Sequence, residues 1–481
     1  MFDKNRVHID SMHSAQSEMI VPVPVTDGRH VQSWSHWLDR PISAWWCRLG
    51  WFAATAVFIG VTRLLGGPTQ FDTPLSAYAT WAIAHGVPSC AYPPTTFSGV
   101  APLYPLISGG FAAMTRIGHS VPFPSQAALG PHCSTAIAAV SRWSIRSGAI
   151  VPTMRLGFLG WLVLMAGLVA LLRTSGRGRC RWEPTVLILV AWVPVIAMPL
   201  QEFFHPEDLM AMGFSLGCLA CVRRGLWFWA GVLIGLAIAS QQFALLFLAP
   251  LMMVPSWNRR FRLVGAAIGT VAVIVVPLIV ITSGGVTRAV TGAAATPSAG
   301  RTVLSAMHLH GPVLFALSRV LPIVLALALA AWAVRRFGQT VVEPLLLVSL
   351  IATSLTFRLV FEVNLYGYYF MAVALLLIVL DILRGRIRMY LVAWLILVSL
   401  AFMPLPWGYD PWGNGLPIWL WQILLVPSAL GLALGPLISA ADVPTCSESC
   451  VHAPQRMRLD KTTPLGSRLM SGRIEQVHSG T

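Results

Sequence analysis

Long apolar runs recur along almost the whole chain, and no other feature constrains the fold as strongly. A helix needs about 20 apolar residues to cross the hydrocarbon core of a bilayer. The runs occupy residues 45–65, 154–172, 184–201, 208–222, 226–254, 263–283, 312–334, 342–358, 366–383, 388–404 and 416–438. Because they are continuously apolar rather than alternating, they predict membrane-spanning helices and not the strands of a barrel.

The composition and the charge distribution agree with a membrane protein. Only 11% of the residues are charged, against about 25% in a soluble domain, which is too few to cover a water-facing surface. The net charge of +15 is concentrated in short basic clusters between the apolar runs. That distribution follows the positive-inside rule for cytoplasmic loops, and it argues against nucleic acid as a partner.

The basic clusters also set the predicted topology. If all of them lie in the cytoplasm, the number of membrane crossings in two irregular segments is determined. Residues 226–254 have basic flanks on both sides, so they predict two short helices that meet at the polar residues 240–242, at membrane depth or at the outer face. Residues 100–116 contain two prolines near their start and predict an interfacial helix. About twelve crossings result, with both termini in the cytoplasm.

The sequence therefore predicts an all-α, polytopic transmembrane helical bundle in the cell membrane, with two tails. Residues 1–44 are polar and residues 440–481 are polar and basic, so both are expected to be disordered cytoplasmic tails. Residues 45–439 form the transmembrane domain. Its first external loop, residues 66–153, is long and carries the interfacial helices. Most unusual polar residues fall on the outer side, so we expect an outward-facing active site.

Asp72 is the first candidate functional residue, a few positions after the first span. A carboxylate near the lipid headgroups can act as a general base toward a hydroxyl, or hold a metal ion. The alternative is a helix N-cap, because Pro74 follows, and Tyr78 and Trp81 would share one face of a short interfacial helix. The two roles are compatible.

The second candidate group lies at a predicted outer hairpin, where His205, Glu207 and Asp208 closely follow Glu202. Ionisable groups at a membrane boundary are costly and mark functional sites by default. We therefore predict substrate binding by His205, Glu207 and Asp208. A helix that begins at Pro206 would also place acids at the positive end of its dipole. His205 has only a weak case as a metal ligand, because the spacing is not specific.

Further candidates for substrate binding follow along the outer side. Gln241 and Gln242 fall at the predicted helix break, where polar groups line a binding cavity or are simply solvated. Arg301, His308 and His310 share the next external loop. Such a set can hold a phosphate through charge-assisted hydrogen bonds, although arginines near a membrane also extend toward lipid headgroups.

The hairpin at residues 358–369 contributes the last candidate, Tyr368. Its tyrosines also suit an interfacial aromatic belt. Arg358 and Glu362 are one helical turn apart, a spacing that is typical of an ion pair. Elsewhere in the external region, Cys90 and Cys133 are predicted to lie in an oxidising compartment, which permits a disulfide between them.

The order of these pieces resembles the GT-C superfamily of integral membrane glycosyltransferases over residues 45–440. The pieces are Asp72, Gly86, Tyr92-Pro93-Pro94, Pro102-Leu103-Tyr104-Pro105-Leu106, Met154-Arg155-Leu156, Arg223-Arg224-Gly225-Leu226-Trp227 and the stretch 230–237. Members often carry a Lys or another polar residue at the turn of a broken helix. Here Ser240-Gln241-Gln242 takes that place, without the Lys.

The chain is most similar to the actinobacterial-type mannosyltransferases that depend on a polyprenyl-phosphate-linked sugar. The resemblance implies such a donor, a lipid, glycan or protein acceptor, and Asp72 as the base that deprotonates the acceptor hydroxyl. Glu207, Asp208, Gln242 and His308 would hold sugar hydroxyls or orient the acceptor. Several members use a divalent metal such as Mg²⁺ or Mn²⁺ and others none, and no residue is assigned here as a metal ligand.

Two other functions fit parts of the sequence. A secondary transporter or lipid flippase would need helix breaks or ionisable groups near mid-membrane on several spans, and usually two related halves. The sequence shows no convincing repeat and gathers its charges at the outer rim. A non-catalytic assembly subunit with the same fold also stays open, because the helix break lacks the Lys.

Overall fold

The described part of the chain is helical and contains no β-strand, which confirms the predicted fold class. The computed structural model describes residues 38–65, 72–92, 101–115, 117, 120–124, 137–176, 180–201, 204–252, 256–287, 302–307, 313–314, 316–402 and 418–441. Most of the predicted N-terminal tail and nearly all of the predicted C-terminal tail lie outside these residues.

The α-helices are numbered here in chain order. They are α1 (Ala44–Leu64), α2 (Asp72–Ala84), α3 (Leu103–Met114), α4 (Ile137–Arg146), α5 (Ile150–Thr174), α6 (Trp182–Trp192), α7 (Pro194–Gln201), α8 (Pro206–Arg223), α9 (Trp227–Ser240), α10 (Leu245–Met252), α11 (Trp257–Ile281), α12 (Val303–Ala306), α13 (Leu321–Phe337), α14 (Pro344–Val360), α15 (Phe370–Leu383), α16 (Met389–Phe402) and α17 (Ile418–Ala441). Every predicted apolar run overlaps at least one of them.

The lengths of these helices fit a polytopic membrane bundle. By length and composition, five described helices can cross a membrane, or six if the bent pair α6 and α7 forms one span. The helices α9, α14 and α16 are also apolar but shorter. The total of about twelve crossings therefore stays a prediction.

The predicted break within residues 226–254 is confirmed. Helix α9 ends at Ser240, Gln241 has an extended backbone, and a 3₁₀ turn over Gln242–Ala244 leads into α10. The run of helical backbone hydrogen bonds is therefore interrupted at Gln241, a polar residue, and not within the apolar helices α9 and α10. The two glutamines are therefore placed at a helix junction, as their sequence context indicated.

A second break departs from the prediction of one span over residues 184–201. Helices α6 and α7 are bent by 54° relative to one another, and Val193 between them is extended, with ψ of 112°. Pro194 explains this geometry, because a proline disfavours the helical conformation of the residue before it. The bend directs α7 toward the turn that precedes α8.

The long loop after α1 contains compact helical structure. Helix α3 has 12 residues, too few to cross a bilayer, which agrees with the interfacial helix predicted there. It packs on α2, where Thr80 Oγ1 lies 2.9 Å from Ser108 Oγ. Cys90 is disulfide-bonded, and Cys133, its predicted partner, lies outside the described residues.

Glycines bring α5 and α8 into backbone contact. A Cβ atom on Gly167 would collide with the carbonyl group of Gly213, and a Cβ atom on Gly213 would collide with the backbone of Val163. Nearer the start of α8, a Cβ atom on Gly160 would lie 2.5 Å from the carbonyl oxygen of Pro206. Small residues allow such close approach between membrane helices. We call this contact the glycine seam; it fixes the first turn of α8 against α5.

We expect Gly213→Ala to destabilise the protein by about 1–3 kcal/mol, because the new methyl group must push α5 and α8 apart. The free energy of unfolding can be measured by titration with a denaturing detergent. Gly269→Ala in α11 is the matched control, since no atom lies within 4 Å of its added Cβ atom, and alanine is the better helix former. Equal effects of the two substitutions would contradict the seam.

Candidate functional site

Buried ionisable side chains gather at the turn between α7 and α8. The exposed fractions are 5% for His205, 0% for Glu207 and 3% for Asp208. We call these three residues the polar cluster. Helix α8 begins at Pro206, with both acids in its first turn, so the helix-start interpretation is confirmed. An acid that served only the helix dipole would normally remain in water, and the burial of the whole cluster favours a binding site.

The backbone before the polar cluster is strained. Phe204 has φ of 61°, in the left-handed region that non-glycine residues rarely adopt. Its ring is buried, edge-on to Tyr104 with ring centroids 6.2 Å apart. The backbone N–H of His205 donates to the carbonyl oxygen of Pro199. Strain of this kind persists only where the surroundings enforce it, and it concentrates at functional sites.

Glu207 is only half satisfied. Its Oε1 lies 2.8 Å from Nδ1 of His205. Its Oε2 is buried and has no hydrogen-bond partner in the described part of the chain. Most buried polar atoms in native proteins have a partner, so this oxygen is an acceptor available to a ligand.

Two other buried acids show what a purely structural carboxylate looks like in this protein. Both oxygens of Glu183 accept hydrogen bonds from Arg173, at 2.9 and 3.1 Å, and one also accepts from Trp51 at 3.2 Å. Both oxygens of Asp381 accept from Arg388, at 2.6 and 2.7 Å. In these two cases both oxygens of the buried carboxylate have hydrogen-bond partners within the protein. In the polar cluster, by contrast, Oε2 of Glu207 has no partner among the described residues.

The helix break joins the polar cluster. Nε2 of Gln241 donates to Oδ1 of Asp208 at 2.7 Å, while its Oε1 accepts from the backbone N–H of Gln242 at 3.0 Å. The extended backbone of Gln241 therefore turns its amide toward the start of α8. Of the two predicted glutamines, Gln241 contacts the cluster directly, and Gln242 begins the adjoining 3₁₀ turn.

Tyr368, another predicted substrate-binding residue, lies beside the polar cluster. Its ring stacks on His205, with centroids 4.8 Å apart and planes 29° apart. The ring of Tyr366 stacks on that of Tyr368 with centroids 5.8 Å apart, and the ring of Tyr369 meets Tyr368 edge-on at 4.5 Å. The tyrosines of this hairpin therefore form one wall of the site, and Tyr368 itself is buried, which an outer aromatic belt would not require.

A group of cations lies beside the polar cluster. Glu362 accepts from Nε of Arg358 at 3.0 Å and from Arg319 at 3.5 Å. The Arg358 guanidinium lies 4.7 Å from the ring centroid of Tyr369, and it interacts electrostatically with Asp208. The predicted pair is thus confirmed as part of a triad. Two cations against one carboxylate leave a net positive charge next to the polar cluster.

Two tyrosines from the first external loop complete the surroundings of Glu207. Tyr92 and Tyr104 are fully buried. Burial, and secondly the nearby Glu207 carboxylate, raise the pKa of both hydroxyls above the usual range. Both groups therefore stay protonated at physiological pH. The loop after α1 thus reaches the same site as α8.

The structure leaves some predicted residues undecided. Asp72 is the first residue of α2, but its side chain lies outside the described part of the chain. Arg301, His308 and His310 lie outside it altogether. The neighbouring residue Thr302 is described, and its hydroxyl donates to the carbonyl oxygen of Val363 at 2.9 Å. This bond attaches the loop that carries Arg301 to the hairpin after α14.

Among the described residues, no group of three or more His, Cys, Asp or Glu side chains is arranged to hold a metal ion. Sequence reasoning overlooked Arg319, which lies on a π-helical turn over Ala316–Val320. Such turns are rare overall, and those that occur are often found at functional sites. No pattern in the sequence predicts them. Tyr92 and Tyr104 were noted only as parts of motifs, and their approach to Glu207 is a tertiary contact.

Comparison with known proteins supplies one match. Residues 149–361 match Glycosyltransferase family 87. This stretch begins just before α5 and ends one residue before Glu362, so it contains the polar cluster and the helix break. Asp72 and Tyr368 lie outside it. Neither a curated protein nor a solved structure matches the chain.

We expect the hydrogen bond between Gln241 and Asp208 to appear as a coupling energy of about 1.5–3 kcal/mol, the range for a bond to a charged group. The measurement is a double-mutant cycle of Gln241→Met and Asp208→Asn, read as the free energy of unfolding. A second cycle pairs Asp208→Asn with Gln422→Met, because Gln422 bonds backbone groups of residues 303, 359 and 360 instead. Similar coupling in both cycles would show that the break does not stabilise the cluster.

Proposed function

We propose that this membrane glycosyltransferase of the GT-C type moves a sugar from a polyprenyl-phosphate donor to an acceptor hydroxyl at the outer face of the membrane. The sugar is mannose or a similar hexose, and the acceptor is a lipid, glycan or protein. The match to Glycosyltransferase family 87 supports sugar transfer. The observation that carries the assignment of the site is the buried Glu207 carboxylate with one oxygen left for a ligand.

The polar cluster suits the recognition of a sugar. A carboxylate oxygen accepts hydrogen bonds only, so the free Oε2 of Glu207 requires a donor such as a sugar hydroxyl. The protonated hydroxyls of Tyr92 and Tyr104 lie near the same carboxylate. The stacked rings of His205 and Tyr368 add an apolar wall. We assign the donor sugar to this space.

The cations beside the cluster suit the donor phosphate. Arg358 and Arg319 share Glu362 as their acid partner, and Nε of Arg319 is buried without a partner among the described residues. Charge-assisted bonds from guanidinium groups are the strong ones for phosphate. They would offset the negative charge that develops on the phosphate as it leaves. Arg301, His308 and His310 are proposed to assist, and a bound Mg²⁺ or Mn²⁺ ion would act on the same charge.

Asp72 is the proposed general base. Its carboxylate would take the proton of the acceptor hydroxyl while that oxygen bonds to the anomeric carbon; the carbon–oxygen bond to the phosphate breaks and its electron pair leaves on the polyprenyl phosphate. Helix α2, which begins at Asp72, is tied to the site through Thr153 of α5. Trp81 of α2 donates to the Thr153 hydroxyl at 3.0 Å, and Tyr104 donates to its carbonyl oxygen at 3.5 Å.

The orientation of the site is also a proposal. Cys90 is disulfide-bonded, and disulfides persist on the oxidising side of a membrane. Tyr92, two residues later, lies near Glu207. At the other end of α8 lies the basic turn with Arg223, which the positive-inside rule places in the cytoplasm. These features support an outward-facing site and two cytoplasmic termini.

We expect Asp72→Asn to lower the kcat of sugar transfer about 10²- to 10⁴-fold, the usual contribution of a general base, with little change in the KM for the donor. The assay uses the purified full-length protein, polyprenyl-phosphate-mannose and an alkyl mannoside acceptor. Glu207→Gln is the contrasting variant: loss of a charged acceptor for a sugar hydroxyl should weaken donor binding about tenfold or more.

The outcomes separate the parts of the proposal. Full activity of Asp72→Asn would remove Asp72 as the base. An unchanged affinity for the donor in Glu207→Gln would remove the polar cluster as the sugar site. Failure of the folded wild-type protein to bind any polyprenyl-phosphate sugar, together with gradient-driven uptake of a solute into vesicles, would favour the transporter.

The orientation predicts where single cysteines react. His85→Cys, at the exposed end of α2, should be labelled by a membrane-impermeant maleimide in intact cells. Arg224→Cys, at the exposed turn after α8, should be labelled only after the membrane is permeabilised. The parent protein gives the background from its natural cysteines. The opposite labelling pattern would place the site in the cytoplasm.

A further inference from the structure

A second polar site lies at the opposite end of α8 from the polar cluster. A pocket of about 550 Å³ opens between the turn after α8, the start of α11 and the turn before α14. Its polar lining includes Arg223, Ser256, Asn258, Arg259 and Arg262. Helix α8 has 18 residues and is therefore about 27 Å long. We call this cavity the basic pocket; it is remote from the site proposed for sugar transfer.

The charge of the basic pocket is uncompensated. Its lining contains three arginines and no acidic residue. None of the three forms an ion pair with a carboxylate in the described part of the chain. Arg259 instead lies over the ring of Trp227, with its Cζ 5.5 Å from the centroid. Three positive charges with neutral polar neighbours fit an anion, and guanidinium groups suit phosphate in particular.

The surroundings of the basic pocket indicate that the anion comes from the membrane. Large aromatic side chains flank it on helices α9 and α11. Each is more than half exposed: Phe228 and Trp229 on α9, and Trp257 and Phe261 on α11. Exposed Trp and Phe beside arginines at the end of membrane helices are typical of the headgroup region of a bilayer. A pocket for a soluble phosphate compound would not require this apolar rim.

The walls of the basic pocket are held together by close helix packing. Helices α9 and α11 meet at Gly231, where an added Cβ atom would collide with the carbonyl oxygen of Leu263. The same two helices supply Trp227, Arg259 and Arg262 within their first two turns. The two helices are therefore fixed relative to one another before a ligand binds, which lowers the entropic cost of binding.

We propose that the basic pocket binds the phosphate headgroup of an anionic phospholipid from the adjoining leaflet. The arginines hold the phosphate, Ser256 and Asn258 face the polar part of the headgroup, and the aromatic rim contacts the glycerol and the acyl chains. Basic pockets between membrane helices on the cytoplasmic side are suited to such headgroups. The inference does not depend on the proposed sugar transfer.

The test is lipid binding to the full-length protein in detergent, measured by native mass spectrometry with phosphatidylglycerol and with phosphatidylcholine. We expect Arg259→Gln/Arg262→Gln to weaken phosphatidylglycerol binding about thirtyfold, since each arginine near an anionic headgroup contributes about fivefold. The matched control is Arg48→Gln/Arg335→Gln, which removes two exposed arginines from other helix ends and should change the affinity less than twofold. Arg223→Gln is a milder second variant, expected to weaken binding about fivefold.

Three outcomes would overturn the proposal. An equal loss in the control would mean that phosphatidylglycerol responds only to total charge. Equal affinity for phosphatidylcholine in the wild-type protein would mean that the anionic headgroup is not recognised. Displacement of the lipid by millimolar inorganic phosphate would assign the pocket to a soluble phosphate instead of a lipid. A wild-type melting temperature for each variant shows that the fold is intact.

Discussion

The backbone contact between α5 and α8 is the constraint on which the rest of the structure depends. Inside a bilayer, helices gain little from burying apolar surface against one another, so close packing must hold them. Gly160, Gly167 and Gly213 provide that packing. The contact places the first turn of α8, and with it the polar cluster, where the surrounding elements can reach it. Buried charged groups are costly unless they are paired or hydrogen-bonded, so the position of this turn relative to its partners matters.

Around that fixed turn, elements that are distant in sequence each supply one type of group. The helix break supplies an amide, and the hairpin after α14 supplies aromatic rings. The last turn of α14 and the π-helical turn before α13 each supply a cation, and the first external loop supplies protonated phenols. The result is a site with acceptors on one side and positive charge on the other. A sugar phosphate has the complementary arrangement, since its hydroxyls donate and its phosphate is an anion. This correspondence supports the proposed function beyond what the family match alone supports.

The sequence predicted the local features well and the convergent ones poorly. The apolar runs, the break at Gln241 and the helix start at Pro206 depend on residues close in sequence, so their patterns were sufficient. The bend at Val193 also has a local cause, the proline that follows it. It was not predicted because residues 184–201 are long enough for a single span. The approach of Tyr92, Tyr104 and Arg319 depends on tertiary packing, and no spacing encodes it. The roles of Asp72, Arg301, His308 and His310 stay predictions.

The charges on α8 have a consequence for how the protein is made. Helix α8 is not among the helices that qualify as membrane spans by length and composition, because Glu207, Asp208 and Arg223 are all charged. A segment of this kind is costly to insert alone. We expect it to insert against α5, whose glycines allow the close approach of the α8 backbone. The order of the chain provides this, since α5 leaves the ribosome before α8. The insertion of the polar cluster therefore depends on a helix that is made earlier.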